Sequence, residues 1–103
     1  MSREQRAGGL AYLQAVSVTM HFFGCVGQTL LEDETLGVLE LCERLAEAEP
    51  ASVAGWRLLG RVVRHVLATM EESGDARALL LHELHATVMA HADRAALVRQ
   101  NGE

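Results

Sequence analysis

The sequence predicts an all-α domain made of four helices, arranged as two antiparallel helical hairpins. Apolar residues recur at helical spacing along the whole chain, and no segment alternates apolar and polar residues as a half-buried strand does. The chain has 103 residues, half of them apolar, with one proline and no hairpin dipeptide in mid-chain. This length corresponds to a single domain, residues 1–103, with enough apolar residues to form a core.

Helix one is predicted at about residues 5–28. It covers most of a run of 25 residues, Ala7 to Leu31, that has no formally charged side chain. The run is long enough to cross a bilayer, but its polar residues form one stripe along the helix, which is costly in hydrocarbon. We therefore expect no membrane span, no targeting segment and a cytoplasmic protein. The stripe consists of Gln14, Ser17, His21 and Gln28.

Helix two is predicted at about residues 33–48. The three residues at 32–34 are acidic, which favours a helix N-terminus because of the helix dipole. The helix ends before Pro50, which cannot continue a helix but fits the first turn of the next one. The residues predicted to face the core are Leu36, Leu39, Cys42 and Leu45.

Helices three and four are predicted at about residues 50–72 and 75–99. Between them, Gly74 suits a C-terminal cap and Asp75 suits the N-terminal cap of the next helix. The core residues predicted for helix three are Trp56, Leu59, Val63, Val66 and Met70. Those predicted for helix four are Leu80, Leu84, Val88 and Ala92.

Residues 35–63 contain a pattern typical of a repeat family. An amphipathic helix that includes Leu39 ends at Pro50, and six residues later the sequence reads Trp56-x-x-Leu59-Gly60. This segment resembles the junction between two tetratricopeptide repeats, in which the tryptophan, leucine and glycine let the next helix pack closely. The resemblance implies tetratricopeptide-like (α-solenoid-type) packing of the hairpins, with bundle packing as the alternative. It also implies a protein-binding surface, as in small secretion chaperones.

The sequence contains no residue pattern that predicts an enzyme, a metal site or a cofactor. His21 and Cys25 are one helical turn apart, as two metal ligands can be, but no third ligand stands at helical spacing. His82 and His85 lack the four-residue spacing of a metalloprotease helix. There is no glycine-rich phosphate loop and no local context for a catalytic triad. We therefore expect no catalytic residues, no metal and no cofactor.

Charged residues form two rows on neighbouring helices. The glutamate row on helix two consists of Glu40, Glu43 and Glu47, and the arginine row on helix three consists of Arg57, Arg61 and Arg64. One interpretation, slightly favoured, is that the rows pair within the monomer. The other is that the arginine row binds a partner, since arginines early in a helix and glutamates at its end oppose the helix dipole.

Helix one has more apolar surface than three neighbouring helices can cover, and Phe22 is predicted to point outward. We expect a non-enzymatic protein–protein interaction module, an adaptor or chaperone-like subunit, that binds a helical segment of another protein or a second copy of itself. The alternative is a DNA-binding or transcription-regulatory domain that uses helix three, although the net charge of −5 and the absence of lysine disfavour nucleic acid. The predicted partner-binding residues are Tyr12, Phe22, Phe23, Arg57, Arg61 and Arg64.

Overall fold

The protein folds into four α-helices, which confirms the predicted fold class. A computed structural model describes residues 3–26 and 32–102, and the side chains of residues 9–24 and 39–99 among them. There is no β-strand within these ranges. The helices are α1 (Arg3–Val26), α2 (Glu32–Glu47), α3 (Val53–Glu72) and α4 (Ala78–Gly102).

The helix α3 begins three residues later than predicted. Pro50 lies in the turn before the helix, and Ala51 has a positive φ of 60°, so the helix cannot begin there. Ser52 is the N-cap, and its Oγ accepts a hydrogen bond of 3.0 Å from the Gly55 N–H. The predicted end of helix one at residue 28 lies outside the described residues.

The helix α4 also begins three residues later than predicted, and it continues beyond residue 99. A tight turn precedes it, in which the Ala78 N–H donates to the Asp75 carbonyl at 3.0 Å. The predicted C-terminal cap of α3 is present, since Gly74 adopts φ of 70°. Asp75 is not the N-cap of α4, because the helix begins at Ala78, but its carboxylate accepts a hydrogen bond of 2.9 Å from the Arg77 N–H in the turn before the helix.

The central helix of the fold is α3, which contacts the other three. Consecutive helices are antiparallel, so that α1 and α3 run parallel to each other. Tyr12 of α1 meets Trp56 near the start of α3, and Phe22 of α1 shares a cluster with Val66, further along α3. In the opposite direction, α4 places Leu81 in the same cluster as Phe22 and Val66. The packing agrees with the predicted hairpins.

The five residues predicted to face the core from α3 are all buried. The predicted face of α2 is partly wrong: Leu45 is buried, but Leu39 is exposed and Leu41 is buried in its place. The side chain of Leu36 lies outside the described residues, and Cys42 is half-buried. The α2 core positions are four residues apart, one turn of helix, and face α3.

The predicted face of α4 is correct at Val88 and Ala92 and wrong at Leu80. Leu80 is 57% exposed, whereas Leu81 is fully buried. A shift of one residue turns the helix by about 100° and brings Leu81 rather than Leu80 against α3. Leu84 is half-buried and packs against the core.

No helix in the described part of the chain combines the length and the hydropathy that a bilayer crossing requires.

Candidate interaction surfaces

The side of α1 that faces away from α3 is exposed, and between residues 9 and 24, where the side chains are described, it has no Asp, Glu, Lys or Arg; we call it the α1 outer face. Leu10 and Leu13 are about 60% and 61% exposed, which is unusual for leucines this close together on a folded domain. The predicted polar stripe also lies here, except for Gln28, which is outside the described residues. The α1 outer face consists of Leu10, Leu13, Gln14, Ser17, Val18, His21 and Gly24.

The side of α1 that faces α3 contains two of the predicted partner-binding residues. Tyr12 is 4% exposed and Phe22 is 9% exposed, so the prediction that Phe22 points outward is wrong. Both lie on one helical stripe with Ala15 and Thr19, at spacings of three and four residues. Thr19 is the one polar member, and its hydroxyl donates a hydrogen bond of 2.7 Å to the Ala15 carbonyl. Phe23 is half-buried.

Three aromatic rings join α1, α3 and α4 at one end of the domain. The Tyr12 ring meets the Trp56 indole edge-on, with 5.1 Å between ring centroids. On its other side the indole stacks on His91, with 4.5 Å between centroids and 9° between planes. Tyr12 therefore holds the core together, and burial raises the pKa of its hydroxyl.

An open groove runs between α1 and α4, with Trp56 at its floor; we call it the α1–α4 groove. Its volume is about 210 Å³, below the range of pockets that hold drug-sized ligands. A cavity of this size has room for a single side chain or a small molecule. The lining residues are Ala11, Gln14, Ala15, Val18, Trp56, Leu84, Thr87 and His91.

The two charged rows lie on the exposed sides of α2 and α3, and all six of their residues are exposed. Ion pairs in the described residues join Arg77 to Asp75 at 2.6 Å and His82 to Glu71 at 3.3 Å. No ion pair within the described ranges joins the glutamate row to the arginine row. The predicted pairing inside the monomer is therefore not present.

A second groove, of about 490 Å³, lies between α3 and α4 and mixes both signs of charge. Glu71 and His82 bridge it, and Arg64 lies beside them on α3. Its polar residues form no metal site, since no group of three potential ligands occurs among the described residues. The predicted pair of His21 and Cys25 has one described side chain only: His21 is exposed, and the side chain of Cys25 lies outside the described residues.

Sequence reasoning found the charged rows and the apolar excess of helix one, but it missed the α1–α4 groove. Its lining residues come from three helices that are distant in sequence, and only packing brings them together. The nearest signal is the pairing of Tyr12 with Trp56, two aromatic residues at the same level of parallel helices. Comparison of the chain with protein families, with curated proteins and with solved structures found no match.

Proposed function

We propose that this protein is a small, non-enzymatic interaction module of the cytoplasm, an adaptor or chaperone-like subunit that binds a helix. The observation that carries the proposal is the α1 outer face, where two leucines are exposed and none of the described side chains is Asp, Glu, Lys or Arg. Large apolar surfaces on a small domain are typical of protein interaction sites. The bound helix belongs to another protein or to a second copy of this chain.

The geometry of the α1–α4 groove supports a helical ligand. A helix that lies along α1 presents apolar residues every three or four positions, and one of them fits a cavity of about 210 Å³. Gln14 and Thr87 stand at the rim, where they can hydrogen-bond to polar groups of the ligand. Trp56 forms the floor but is 2% exposed, so the ligand would contact mainly the side chains of α1 and α4 that line the groove around it.

The tetratricopeptide-like resemblance supports the same proposal. Gly60, the glycine of the motif, is buried, and a Cβ atom added there would stand 2.9 Å from Met89 Sδ. The absence of a side chain thus lets α3 and α4 approach closely, as the motif implies. Helical hairpins of this kind expose grooves that bind helical segments of other proteins.

The exposed arginine row favours one alternative, a DNA-binding or regulatory domain that places α3 in a major groove. The glutamate row on α2 and the two glutamates at the end of α3 would stand close to the same phosphates. Since phosphate contacts weaken steeply with salt, a salt titration with a DNA duplex separates this alternative from protein binding.

The test is the solution mass of the protein purified from its own host, with any companion protein identified. We expect a complex heavier than the 11.2 kDa chain. The Leu10→Glu, Leu13→Glu variant should stay helical by circular dichroism and have a lower solution mass than the wild type, because it places charge on the α1 outer face and removes the partner bound there. The matched control is Leu79→Glu, an exposed leucine at the start of α4.

A wild-type protein that sediments as a monomer at about 0.1 mM without a companion would overturn the proposal. So would a Leu10→Glu, Leu13→Glu variant that has the same solution mass and the same companion protein as the wild type.

A further inference from the structure

We propose that the exposed face of the α2–α3 hairpin binds a second copy of this chain, with the glutamate row of each copy paired to the arginine row of the other. This inference goes beyond the proposed function, because it concerns the opposite side of α3. The helix α1 packs against the buried face of α3, whereas the arginine row lies on the exposed face.

The charged residues of the two rows stand at matching heights along the axis of the α2–α3 hairpin. Leu41 packs against Val62, so these two residues stand at the same level of the antiparallel helices. In antiparallel helices, a residue that follows Leu41 by some number of positions is level with the residue that precedes Val62 by the same number. Counted in this way, each glutamate of the row is level with one arginine to within about one residue, or about 1.5 Å of rise. The level pairs are Glu40 with Arg64, Glu43 with Arg61, and Glu47 with Arg57.

The glutamate and arginine of each level pair do not form an ion pair within one copy. All six side chains are exposed, and no ion pair within 4.0 Å joins any of them to another described residue. One copy thus has a row of negative charge along α2 and a row of positive charge along α3, in register on the exposed sides of neighbouring helices, with Arg64 at the edge towards α4, where it also lines the second groove.

Two-fold symmetry can bring the two rows of opposite charge together. A two-fold axis parallel to the helices of the hairpin, between the two rows, places a second copy face to face with the first, with the positions of α2 and α3 exchanged. It therefore sets α2 of one copy over α3 of the other at an unchanged level, so every glutamate meets the arginine level with it. A two-fold axis across the hairpin would set glutamate over glutamate. Charge thus selects one arrangement with six intermolecular pairs.

The residues of this face also suit the arrangement. Exposed residues of α3 recur at the alternating three- and four-residue spacing of a helix-packing seam, and alanines flank the arginine row. The two rows neutralise each other, Arg44 on α2 adds one positive charge and Glu72 at the end of α3 adds one negative charge, whereas the whole chain carries −5. The part of this face that holds the two rows is therefore close to neutral, so two copies meet there with less repulsion than an acidic surface would cause. The seam residues of α3 are Ala54, Arg57, Arg61, Arg64 and Ala68.

The experiment is sedimentation of the full chain at about 20 mM and 500 mM salt, with two charge-reversed variants. The acidic variant carries Arg57→Glu, Arg61→Glu and Arg64→Glu, and the basic variant carries Glu40→Arg, Glu43→Arg and Glu47→Arg. We expect a wild-type dimer whose dissociation constant rises about tenfold or more at high salt, since screening weakens exposed pairs. Each variant alone should be a monomer, and their equimolar mixture should form a one-to-one dimer.

The matched control is Arg94→Glu with Arg99→Glu, which reverses two exposed arginines of α4 and should leave the dimer unchanged. If circular dichroism shows that a triple variant does not fold, Arg61→Glu alone tests the central pair and should weaken the dimer about tenfold. A wild-type monomer at about 1 mM protein in low salt, or variants that do not form the mixed dimer, would overturn the inference. The Leu10→Glu, Leu13→Glu variant keeps this dimer, so its result separates the inference from the proposed function.

Discussion

The imidazole of His91 lies flat against the indole of Trp56, with 4.5 Å between ring centroids and 9° between ring planes. The two residues come from different helices, and Tyr12 of a third helix meets the same indole in a T-shaped contact. His91 also lines the α1–α4 groove, so this stack connects the core to a candidate binding surface.

The stack predicts a change in tryptophan fluorescence when His91 is replaced. Trp56 is the only tryptophan of the chain, so its emission reports the surroundings of this ring alone. The Trp56 side chain is 2% exposed, and the imidazole of His91 lies against the indole. We expect His91→Ala to open the indole to water and to shift the emission to longer wavelength. The control is His65→Ala, an exposed histidine of α3, which should keep the wild-type emission, and an unchanged emission in His91→Ala would contradict the stack.

Two glycines of α3 are predicted to respond differently to alanine. A Cβ atom at Gly55 would stand 2.9 Å from the Glu49 carbonyl oxygen, which is backbone and cannot move aside. At Gly60 the atom at 2.9 Å is Met89 Sδ, which ends a flexible side chain. We expect Gly55→Ala to lower the free energy of unfolding by about 1–3 kcal/mol. Gly60→Ala should change it by less than about 1 kcal/mol, because the better helix propensity of alanine offsets the displacement.

Gly24 supplies the control for both glycine variants, since a Cβ atom added there meets nothing within 4 Å. Gly24→Ala should raise the free energy of unfolding by up to about 1 kcal/mol, as expected for an open helical position. Urea denaturation of the three variants measures all these changes. Equal losses for Gly55→Ala and Gly60→Ala would contradict the packing at the start of α3.

Leu80 and Leu81 form a matched pair that tests the orientation of α4. Leu81 is fully buried against α3, so Leu81→Ala should lower the free energy of unfolding by about 2–5 kcal/mol. Leu80 is mostly exposed, so Leu80→Ala should cost less than about 0.5 kcal/mol. Thermal or urea denaturation of the two variants measures these losses. A larger loss for Leu80→Ala than for Leu81→Ala would mean that Leu80, and not Leu81, faces α3.

The turn before α4 predicts a change in stability at low pH. Hydrogen bonds from the Arg77 side chain and then its backbone N–H lower the pKa of Asp75 from 3.8 to about 2. Since the folded state holds the charged form, the contribution of Asp75 is complete above pH 4 and is lost as the pH falls towards 2. The wild-type protein should therefore be more stable than Asp75→Asn at pH 6, and this difference should shrink by pH 2.

Asp93→Asn is the control for this titration, since the Asp93 carboxylate accepts no hydrogen bond from the described residues. Its stability should follow the wild type over the same pH range. A constant difference between the wild type and Asp75→Asn from pH 6 to pH 2 would show that the Asp75 carboxylate does not stabilise the helix start.

The helices themselves were predictable because their ends carry local signals. Gly74 and Asp75 locate the break between α3 and α4 to within a few residues, and Pro50 prevents α2 from continuing into α3. On α3 a single apolar stripe alternates with charged residues, so the buried face has one solution. The same reasoning failed for Leu80. Three successive leucines stand at the start of α4, and the sequence does not show which of them faces α3.

The sequence predicted which residue types form the candidate surfaces, but not which way their side chains point. Helix one is apolar around most of its circumference, so the sequence did not determine whether Phe22 lies inside or outside. The polar stripe of Gln14, Ser17 and His21 contains that information, because it lies on the side opposite Tyr12 and Phe22. The spacing of the charged rows was clear from the sequence, whereas their failure to pair required the orientations of both helices.

The central position of α3 determines how the domain opens. The α3–α4 hairpin has the most extensive contacts and joins residues close in sequence, so it can persist as a cooperative unit while α1 detaches. Amide hydrogens of α1 should then exchange with deuterium before those of α3, through openings smaller than global unfolding. The helix with the exposed leucines would be the part of the molecule most easily released and docked again, which makes exchange of α1 between copies an accessible route to assembly.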